Sequence, residues 1–306
     1  MVEELLAWAK ARGYRVAWGP AEVAGDAASE VEGRRRSGEL DEGLFEAELA
    51  TVVAAGKQAA AGTVVVVAVP RPAHRVHFEL DGGLTAALLP PTYVRYRAVF
   101  EDVRQELARD GLPGARVEHL TAPLKATAAR LGLVRYGRNN VTYVPGAGSY
   151  IQLCGYLTDA PLPPLEEPVR RRPSLLDECE RCGACVGVCP TKAIGDERVL
   201  MSAQRCLTYA NEVPGGWPAF VPDWAHTCLL GCLECQAVCP VNPELTVEET
   251  GLVFSAAETR ALLVEDDGGD ARAESGIALK MAWLGQPYAE PVLGRNLRAL
   301  LGMAGP

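Results

Sequence analysis

No apolar run in this 306-residue sequence is long enough to cross a membrane. The most apolar stretch, "GTVVVVAVP" from Gly62, is far shorter than the roughly 20 residues that span a bilayer, and its valines favour a buried strand. The N-terminal residues lack the basic start, apolar run and small-residue cleavage site of a secretory signal, and they carry no twin-arginine leader. These features predict a soluble, cytoplasmic protein with no membrane partner.

Basic residues are also fewer than acidic ones: the sequence has 30 Lys and Arg residues and 39 Asp and Glu residues, and its formal net charge is −9. A surface built to hold a phosphate backbone needs the opposite balance. The deficit extends to residues 241–306, which hold ten acidic and five basic residues. Nucleic acid is therefore an unlikely partner on charge alone.

Cysteine, in contrast, is concentrated: nine of the ten cysteines fall between residues 179 and 239. In a reducing compartment this concentration favours metal ligation over disulfides. The first group has the C-x2-C-x2-C-x3-C-P spacing of bacterial ferredoxins and consists of Cys179, Cys182, Cys185 and Cys189. In that pattern the first three thiolates hold one [4Fe–4S] cube and the fourth binds the other, whereas a structural zinc site needs only four ligands in separated CxxC pairs.

The second group, Cys232, Cys235 and Cys239, again ends at a proline. In the two-cluster pattern the last cysteine of each group binds the cube held by the other group, so Cys239 is expected to be the fourth ligand of the first cube. The second cube then receives Cys189, Cys232 and Cys235 and still lacks one thiolate.

Two cysteines could complete the second cube. Spacing alone favours Cys228, four residues before Cys232, and the other candidate is Cys206 in "QRCLTYANE". Cys154 lies in an apolar run, where a buried, inert thiol is expected.

The stretches "CERCGACVGVCPTKAI", "RCLTY" and "GCLECQAVCPVN" together resemble the cluster module of the epoxyqueuosine reductases, relatives of the corrinoid-dependent reductive dehalogenases. In that family the distant cysteine of the RC-x-(S/T)-Y element ligates the second cube. The resemblance implies that cluster one is held by Cys179, Cys182, Cys185 and Cys239, and cluster two by Cys189, Cys206, Cys232 and Cys235. Cys228 stays the alternative to Cys206.

The resemblance continues N-terminally through "GLVRYGRNNVTYVPGAGSYIQLCGYLTDAPL", Gly132 to Leu162, which is similar to the family's G-x-x-G-x-N … P-x-x-G-S … T-D-x-P-L signature. In the family this segment lines a corrinoid, cobalamin. The implied contacts of the corrinoid or its cavity are Gly137, Asn139, Gly148 and Ser149. A turn and a strand edge would use the same residue types.

One family element departs from the pattern. The acid of its D-(S/T)-x-P element, which supplies a proton, is replaced here by Leu120 in "LTAP". Glu118 and His119 stand just before it and are the candidate catalytic replacements. They could act only through a shifted strand, because a displacement of one residue turns a side chain to the opposite face.

The chain divides into three parts. Residues 1–165 are expected to form an α/β (α+β) domain resembling the corrinoid-binding reductase fold, residues 166–242 a bacterial ferredoxin-like module with two [4Fe–4S] clusters, and residues 243–306 a short helical tail. The boundary is a proline-rich linker near residues 160–174. The polar stretch from Gly25 to Gly43 is predicted as a long loop, and the segment around "PGAG" as a hairpin-like return between two strands. Trp217, Phe220 and Trp224 are expected to shield the second cluster from water.

These features predict an iron–sulfur oxidoreductase, similar to the epoxyqueuosine reductases but not acting on tRNA. Single electrons from a low-potential donor such as ferredoxin or flavodoxin would pass through the two clusters to a corrinoid or a small-molecule substrate in the N-terminal domain. Two alternatives use the same clusters. One is a corrinoid-free electron-transfer partner of another enzyme, and the other is a reductive activator or handler of a corrinoid for a separate corrinoid protein.

Overall fold

A computed structural model describes residues 1–58, 62–163, 174–195, 200–264 and 271–303. The α-helices are α1 Val2–Ala11, α2 Glu22–Arg36, α3 Glu42–Leu44, α4 Ala50–Gln58, α5 Tyr96–Glu106, α6 Leu124–Arg130, α7 Ala184–Val188, α8 Leu207–Glu212, α9 Glu234–Ala237, α10 Ala256–Leu263, α11 Ala271–Leu284 and α12 Glu290–Leu300. The strands are β1 Arg15–Pro20, β2 Thr63–Pro70, β3 Ala73–Leu80, β4 Gly83–Leu89, β5 Val117–His119, β6 Arg135–Tyr136, β7 Thr142–Tyr143, β8 Ile151–Thr158 and β9 Val247–Phe254. None of the helices in these ranges combines the length and hydropathy of a membrane span.

The N-terminal part is built on a four-stranded antiparallel sheet in the order β1-β2-β8-β5. Its β2 strand is the valine run, and it is buried on both faces as the sequence predicts. Val64 and Val66 pack in the core with α2 and α6, while Val65 and Val67 pack with α1 and the start of the chain. This alternation covers the sheet with helices on both faces and gives a mixed α/β layer, as expected.

The prediction of a long loop from Gly25 to Gly43 is wrong over most of its length, because α2 runs to Arg36. Four alanine and valine side chains of one helix face are buried, which the polar composition conceals: Val23, Ala24, Ala27 and Ala28. On the exposed face Arg34 pairs with Glu30, four residues earlier, and Arg35 with Glu32, three residues earlier. Small apolar residues on one face and paired charges on the other are enough for a helix.

The C-terminal part is less separate than the sequence indicates. Its three helices, α10 to α12, are present as expected, but they are preceded by β9, which the sequence did not reveal. β9 pairs in parallel with β3, and β3 pairs with β4 to complete a second sheet. Phe254 of β9 stacks on Phe78 of β3, with 4.6 Å between ring centroids. The tail therefore shares a core with the N-terminal segment.

The expected return around "PGAG" is a tight turn closed by a bridge between Val144 and Gly148. Its two arms pair with different partners, since β7 joins β6 while β8 joins β2 and β5. The turn thus leaves the main sheet and reaches toward the cysteine module. Most of the expected linker, residues 164–173, lies outside the described residues.

Candidate metal centre and adjoining cavity

Four cysteines from two parts of the chain line one small cavity. Cys179 lies in a 3-10 turn and Cys185 in α7, and Gly183 between them has φ +75°, a backbone conformation that glycine adopts without strain. Cys239 lies in the turn after α9. The cavity, of about 20 Å³, is bordered by Cys179, Cys182, Cys185 and Cys239. This is the set that the resemblance implies for cluster one.

The opposite wall of this cavity is formed by the N-terminal domain, through Gly137, Asn139 and Tyr143. The Tyr143 hydroxyl lies beside the Cys239 thiol and accepts a hydrogen bond from Asn139 Nδ2 at 3.0 Å. Burial and this thiol raise the pKa of Tyr143, so the hydroxyl keeps its proton and acts as a donor. A Cβ at Gly137 would lie 2.5 Å from Cε2 of Tyr143, so only glycine lets the ring reach the cysteines.

The second set of cysteines is assembled around α8 and α9. Cys189 is buried and packs with Cys206 and Cys235. Cys206 interacts electrostatically with Cys189, and Cys232 and Cys235 both interact with Cys206. Among the described residues no three His, Cys, Asp or Glu side chains close around a single ion-sized position.

The start of α8 places hydrogen-bond donors near the sulfur of Cys206. The backbone N–H groups of Thr208 and Tyr209 and the Thr208 hydroxyl donate to its sulfur, which favours the thiolate. Burial acts against them and is the larger effect, so the pKa of Cys206 is raised. Burial likewise raises the pKa of Cys235 to about 12. Iron must therefore displace the thiol protons when it binds.

Cys228 has different surroundings. It is buried in a small apolar cluster with Tyr150 and Leu233, and its pKa is raised to about 12 by burial. Its electrostatic interaction with the second set involves Cys232, whereas Cys206 interacts with three members of that set. Cys154 is fully buried in β8, where its pKa is also raised to about 12, which is the environment of an inert thiol.

The aromatic residues after α8 shield the second set only in part. Trp217 and Phe220 pack in a cluster with Cys232. Trp224, which was expected to join them, is 73% exposed, so this part of the prediction is wrong.

A second, larger cavity of about 640 Å³ lies between the N-terminal domain and the cysteine module. The N-terminal domain contributes the start of α6 and part of β8, and the cysteine module contributes Leu200 and Gln236. Gln236 directly follows Cys235 in the sequence. The large cavity thus borders the second set of cysteines, and its size is that of a cofactor or small-molecule site.

The four residues expected to contact a corrinoid lie in different places. Gly137 and Asn139 line the small cysteine cavity, and Ser149 lines the large one. Gly148 packs against the cysteine module, since a Cβ there would lie 2.6 Å from Cδ of Pro243. Ser149 donates through its backbone N–H to Asn242 Oδ1 at 2.7 Å. These contacts of Gly148 and Ser149 dock the N-terminal domain on the cysteine module.

The candidate catalytic residues Glu118 and His119 are exposed on β5 and do not line the large cavity. His119 lies 2.9 Å from Glu101 and Glu118 lies 3.6 Å from Arg116. Leu120, at the position of the family's acid, is buried in the sheet core. Among the described residues, β5 shows no shift that would turn Glu118 or His119 toward the large cavity.

Two residues that line the large cavity were not predicted from the sequence. Lys125, the second residue of α6, lies in the wall of the large cavity. Gln152 of β8 lies in the same wall and is 1% exposed, and its Oε1 accepts no hydrogen bond from the described part of the chain. A cation in the first turn of a helix opposes the helix dipole, and this local conflict was the available signal for Lys125. Gln152 gave no such signal, because a polar residue in a strand is ordinary.

Comparison with known protein families places residues 178–242 in a 4Fe-4S double cluster binding domain. Among curated proteins, the chain is 30% identical over 154 residues to the epoxyqueuosine reductase of Bacillus anthracis and 34% identical over 134 residues to that of Escherichia coli K12. These matches cover 48% and 42% of this chain, and 38% and 33% of the relatives. The match thus spans about two fifths or less of the relatives' length.

Solved structures extend the likeness to nearly the whole chain. An epoxyqueuosine reductase with an epoxyqueuosine-modified tRNA-Tyr stem loop matches with a TM-score of 0.65 and 19% identity, over 98% of this chain and 80% of that one. The enzyme from Streptococcus thermophilus matches with a TM-score of 0.64 and 17% identity, over the same shares. The predicted resemblance is confirmed: the chain is epoxyqueuosine reductase-like in its fold and in its double cluster module.

Proposed function

We propose that this protein is an iron–sulfur reductase that passes single electrons through two [4Fe–4S] clusters to a group held in the large cavity. The observation that carries the proposal is the position of that cavity beside the second set of cysteines, through Gln236. Electrons could therefore pass directly from the cluster that this set would hold to a group bound in the cavity. The names of the relatives, all reductases, support the same reaction class.

The proposed ligands of cluster one are Cys179, Cys182, Cys185 and Cys239, and those of cluster two are Cys189, Cys206, Cys232 and Cys235. The shared lining of the small cavity supports the first set. The interactions of Cys206 with Cys189, Cys232 and Cys235 support its choice over Cys228.

A corrinoid is the proposed electron acceptor in the large cavity. The fit rests on the Gln152 amide oxygen in the cavity wall, a buried acceptor to which no described residue donates. Ser149 and Gln152 would hold the group by hydrogen bonds, and Leu124 and Ile151 would pack against it. Bound there, a corrinoid would supply a cobalt centre able to accept single electrons. Of the four residues expected to contact a corrinoid, Ser149 is the one that lines the large cavity.

The substrate is proposed to be a small group with a reducible carbon–oxygen bond, such as an epoxide. The acidic residues of the tail disfavour nucleic acid. A protein of the same fold is nevertheless known with a modified tRNA stem loop, which weakens the expectation that tRNA is excluded. An epoxyqueuosine-containing stem loop is therefore the first substrate to test.

The deciding experiment uses protein purified without oxygen from cells supplied with cobalamin. Two clusters require about eight iron atoms per chain, and a corrinoid adds one cobalt. The sample is then reduced with flavodoxin or dithionite and given the stem loop, and the loss of the epoxide is measured by mass spectrometry. Epoxide loss supports a reductase.

Eight iron atoms without cobalt, even after reconstitution, would overturn the corrinoid assignment. With no epoxide loss as well, they would favour an electron-transfer protein for another enzyme. Cobalt with no epoxide loss would favour a corrinoid-handling protein. Iron near four atoms per chain would contradict the paired clusters themselves.

A further inference from the structure

The large cavity must deliver protons as well as electrons. A reduction that breaks a carbon–oxygen bond leaves charge on oxygen, and a nearby acid lowers the barrier by neutralising it. The lining of the cavity is largely apolar, through residues such as Leu124, Val141 and Leu153. Bulk water is therefore a poor proton source at the reacting atom, and a side chain of the wall has to supply the proton.

We propose that Lys125 is the proton donor of the large cavity. The proposal rests on the proposed reductase function, and it names the group that completes the chemistry of that site. Lys125 lies in the cavity wall at the start of α6, beside Pro123 and Leu124. Its side chain is exposed to solvent, so that its ammonium group can recover a proton from water.

The ammonium group of Lys125 is not held by a carboxylate. Its Nζ donates to the backbone carbonyl of Asn140 at 3.3 Å, and over the described ranges it has no ion pair within 4.0 Å. Asn140 has φ +59°, and Thr92 across the cavity has φ +76°, which is strained for a β-branched residue. Strain of this kind is concentrated at functional sites.

The surroundings of Lys125 also favour release of its proton. Desolvation by the protein around it lowers the pKa of Lys125, and the Cys206 thiol acts in the opposite direction. A lysine with a lowered pKa is the usual form of a catalytic lysine near neutral pH.

The other titratable groups of the wall are less suited. The carboxylate of Glu30 is already occupied by ion pairs, with Arg130 at 2.9 Å and with Arg34 at 3.5 Å. Burial raises the pKa of both Tyr96 and Tyr136, which makes them weaker acids. Arg34 cannot serve, because a guanidinium keeps its proton.

The proposed step balances as follows for an epoxide reduced to an alkene. Two electrons come one at a time from a reduced flavodoxin or ferredoxin through the clusters, both carbon–oxygen bonds break, and a carbon–carbon double bond forms. The Lys125 ammonium gives the departing oxygen its first proton and becomes a neutral amine. The amine is protonated again from solvent and gives the second proton, which releases the oxygen as water, and solvent then restores the ammonium group.

The test measures the titration of Lys125 and the turnover of two variants. The chain has five lysines, so trace acetylation of the cluster-loaded protein at a series of pH values, followed by peptide mass spectrometry, resolves each amine. The labelling midpoint of Lys125 is expected below that of the exposed Lys10 in the same sample. A midpoint equal to that of Lys10 would overturn the proposal.

Turnover uses the epoxyqueuosine-containing stem loop, with Lys10→Met as the control variant. Both Lys125→Met and Lys125→Arg are expected to lower kcat by about 100-fold or more, since a positioned acid contributes roughly 10²–10⁴ in rate. Lys125→Arg keeps the charge but cannot give up a proton, so its KM should stay near that of the wild type. An Arg variant with wild-type kcat would show that Lys125 acts only as a charge, and the proposal would fail.

The two proposals fail in different ways. Wild-type protein that carries both clusters and reduces no epoxide contradicts the proposed function and, with it, the role of Lys125. An active wild type with an ordinary labelling midpoint for Lys125, or with active variants, contradicts the role of Lys125 alone.

Discussion

The hydroxyl of Tyr143 lies beside the thiol of Cys239, across the contact between the N-terminal domain and the cysteine module, where it can donate to the sulfur. Asn139 holds the Tyr143 hydroxyl in this position, since its Nδ2 donates to the Tyr143 oxygen and also to the Cys235 carbonyl at 3.3 Å. Two residues of the N-terminal domain therefore reach the last two cysteines of the module. This links the environment of cluster one to the docking of the two parts.

Replacing Tyr143 by Phe is expected to lower the reduction potential of cluster one. A hydrogen bond to a ligand sulfur stabilises the reduced, more negative cluster, so its loss disfavours reduction. A bond contributing about 1.4 kcal/mol to that difference corresponds to about 59 mV for one electron. Potentiometric titration followed by electron paramagnetic resonance measures the shift.

Tyr150→Phe is the matched control, because that hydroxyl donates to the Gln236 carbonyl at 3.4 Å rather than to a sulfur. A potential unchanged in Tyr143→Phe, with both clusters intact, would show that this hydroxyl does not tune the cluster.

The choice between Cys206 and Cys228 can be tested by single replacements. Cys206→Ser is expected to lower the iron content from about eight toward four atoms per chain, since a cube that loses a thiolate is lost or converted. Cys228→Ser should keep about eight, because Cys228 packs in a separate apolar cluster with Tyr150 and Leu233. Iron analysis and the visible spectrum of anaerobic samples measure both. If Cys228→Ser alone loses the cluster, the spacing argument for Cys228 was right and the assignment of Cys206 is wrong.

The docking of the two parts can be tested at Gly148. Its φ is +78°, and an added Cβ would lie 2.7 Å from Asn242 Oδ1, the atom that accepts from Ser149. Gly148→Ala is expected to destabilise the protein by about 2–4 kcal/mol, because backbone strain and a clash add. Gly146→Ala is the matched control, with φ +73° and no atom within 4 Å of the added Cβ. Thermal unfolding of both variants should give a clearly lower Tm for Gly148→Ala, and equal values would contradict the packing role.

Local patterns in the sequence were sufficient for the central strand of the main sheet and for seven of the eight proposed cluster ligands, whereas Cys206 came from the family resemblance because spacing alone favours Cys228. The valine run predicted β2 because a strand covered on both faces has to be apolar throughout. The cysteine spacing predicted the paired sets because a cube constrains the chain that wraps it. Where chemistry restricts the residue type and the spacing together, one sequence is informative.

Features that depend on contacts between distant segments were missed. β9 has exposed glutamates and Gly251, and its pairing with β3 joins residues more than 170 positions apart. α2 looked like a loop because alanine packing carries a weak hydropathy signal. The roles of Gly137 and Asn139 could not be separated from corrinoid contacts, since a glycine that admits a tyrosine ring and one that admits a cofactor are the same residue.

Arg295 provides a last test, of how the tail supports cluster two. Its guanidinium donates to the carbonyls of Ala210 at 2.8 Å and Val213 at 3.1 Å, at the end of the helix whose start carries Cys206. It also lies 3.9 Å from the ring centroid of Trp217. Loss of these bonds leaves partly buried carbonyls without partners, so Arg295→Met is expected to destabilise the protein by about 2–4 kcal/mol.

Arg295→Met should also speed the loss of cluster two in air, since α8 holds Cys206 through the backbone N–H groups of Thr208 and Tyr209. The bleaching rate of the visible spectrum and the Tm measure the two effects. Arg97→Met, at an exposed position, is the control. A variant at Arg295 with a lower Tm and unchanged bleaching would separate the stability of the tail from that of the cluster, and the proposed support of Cys206 through α8 would then be wrong.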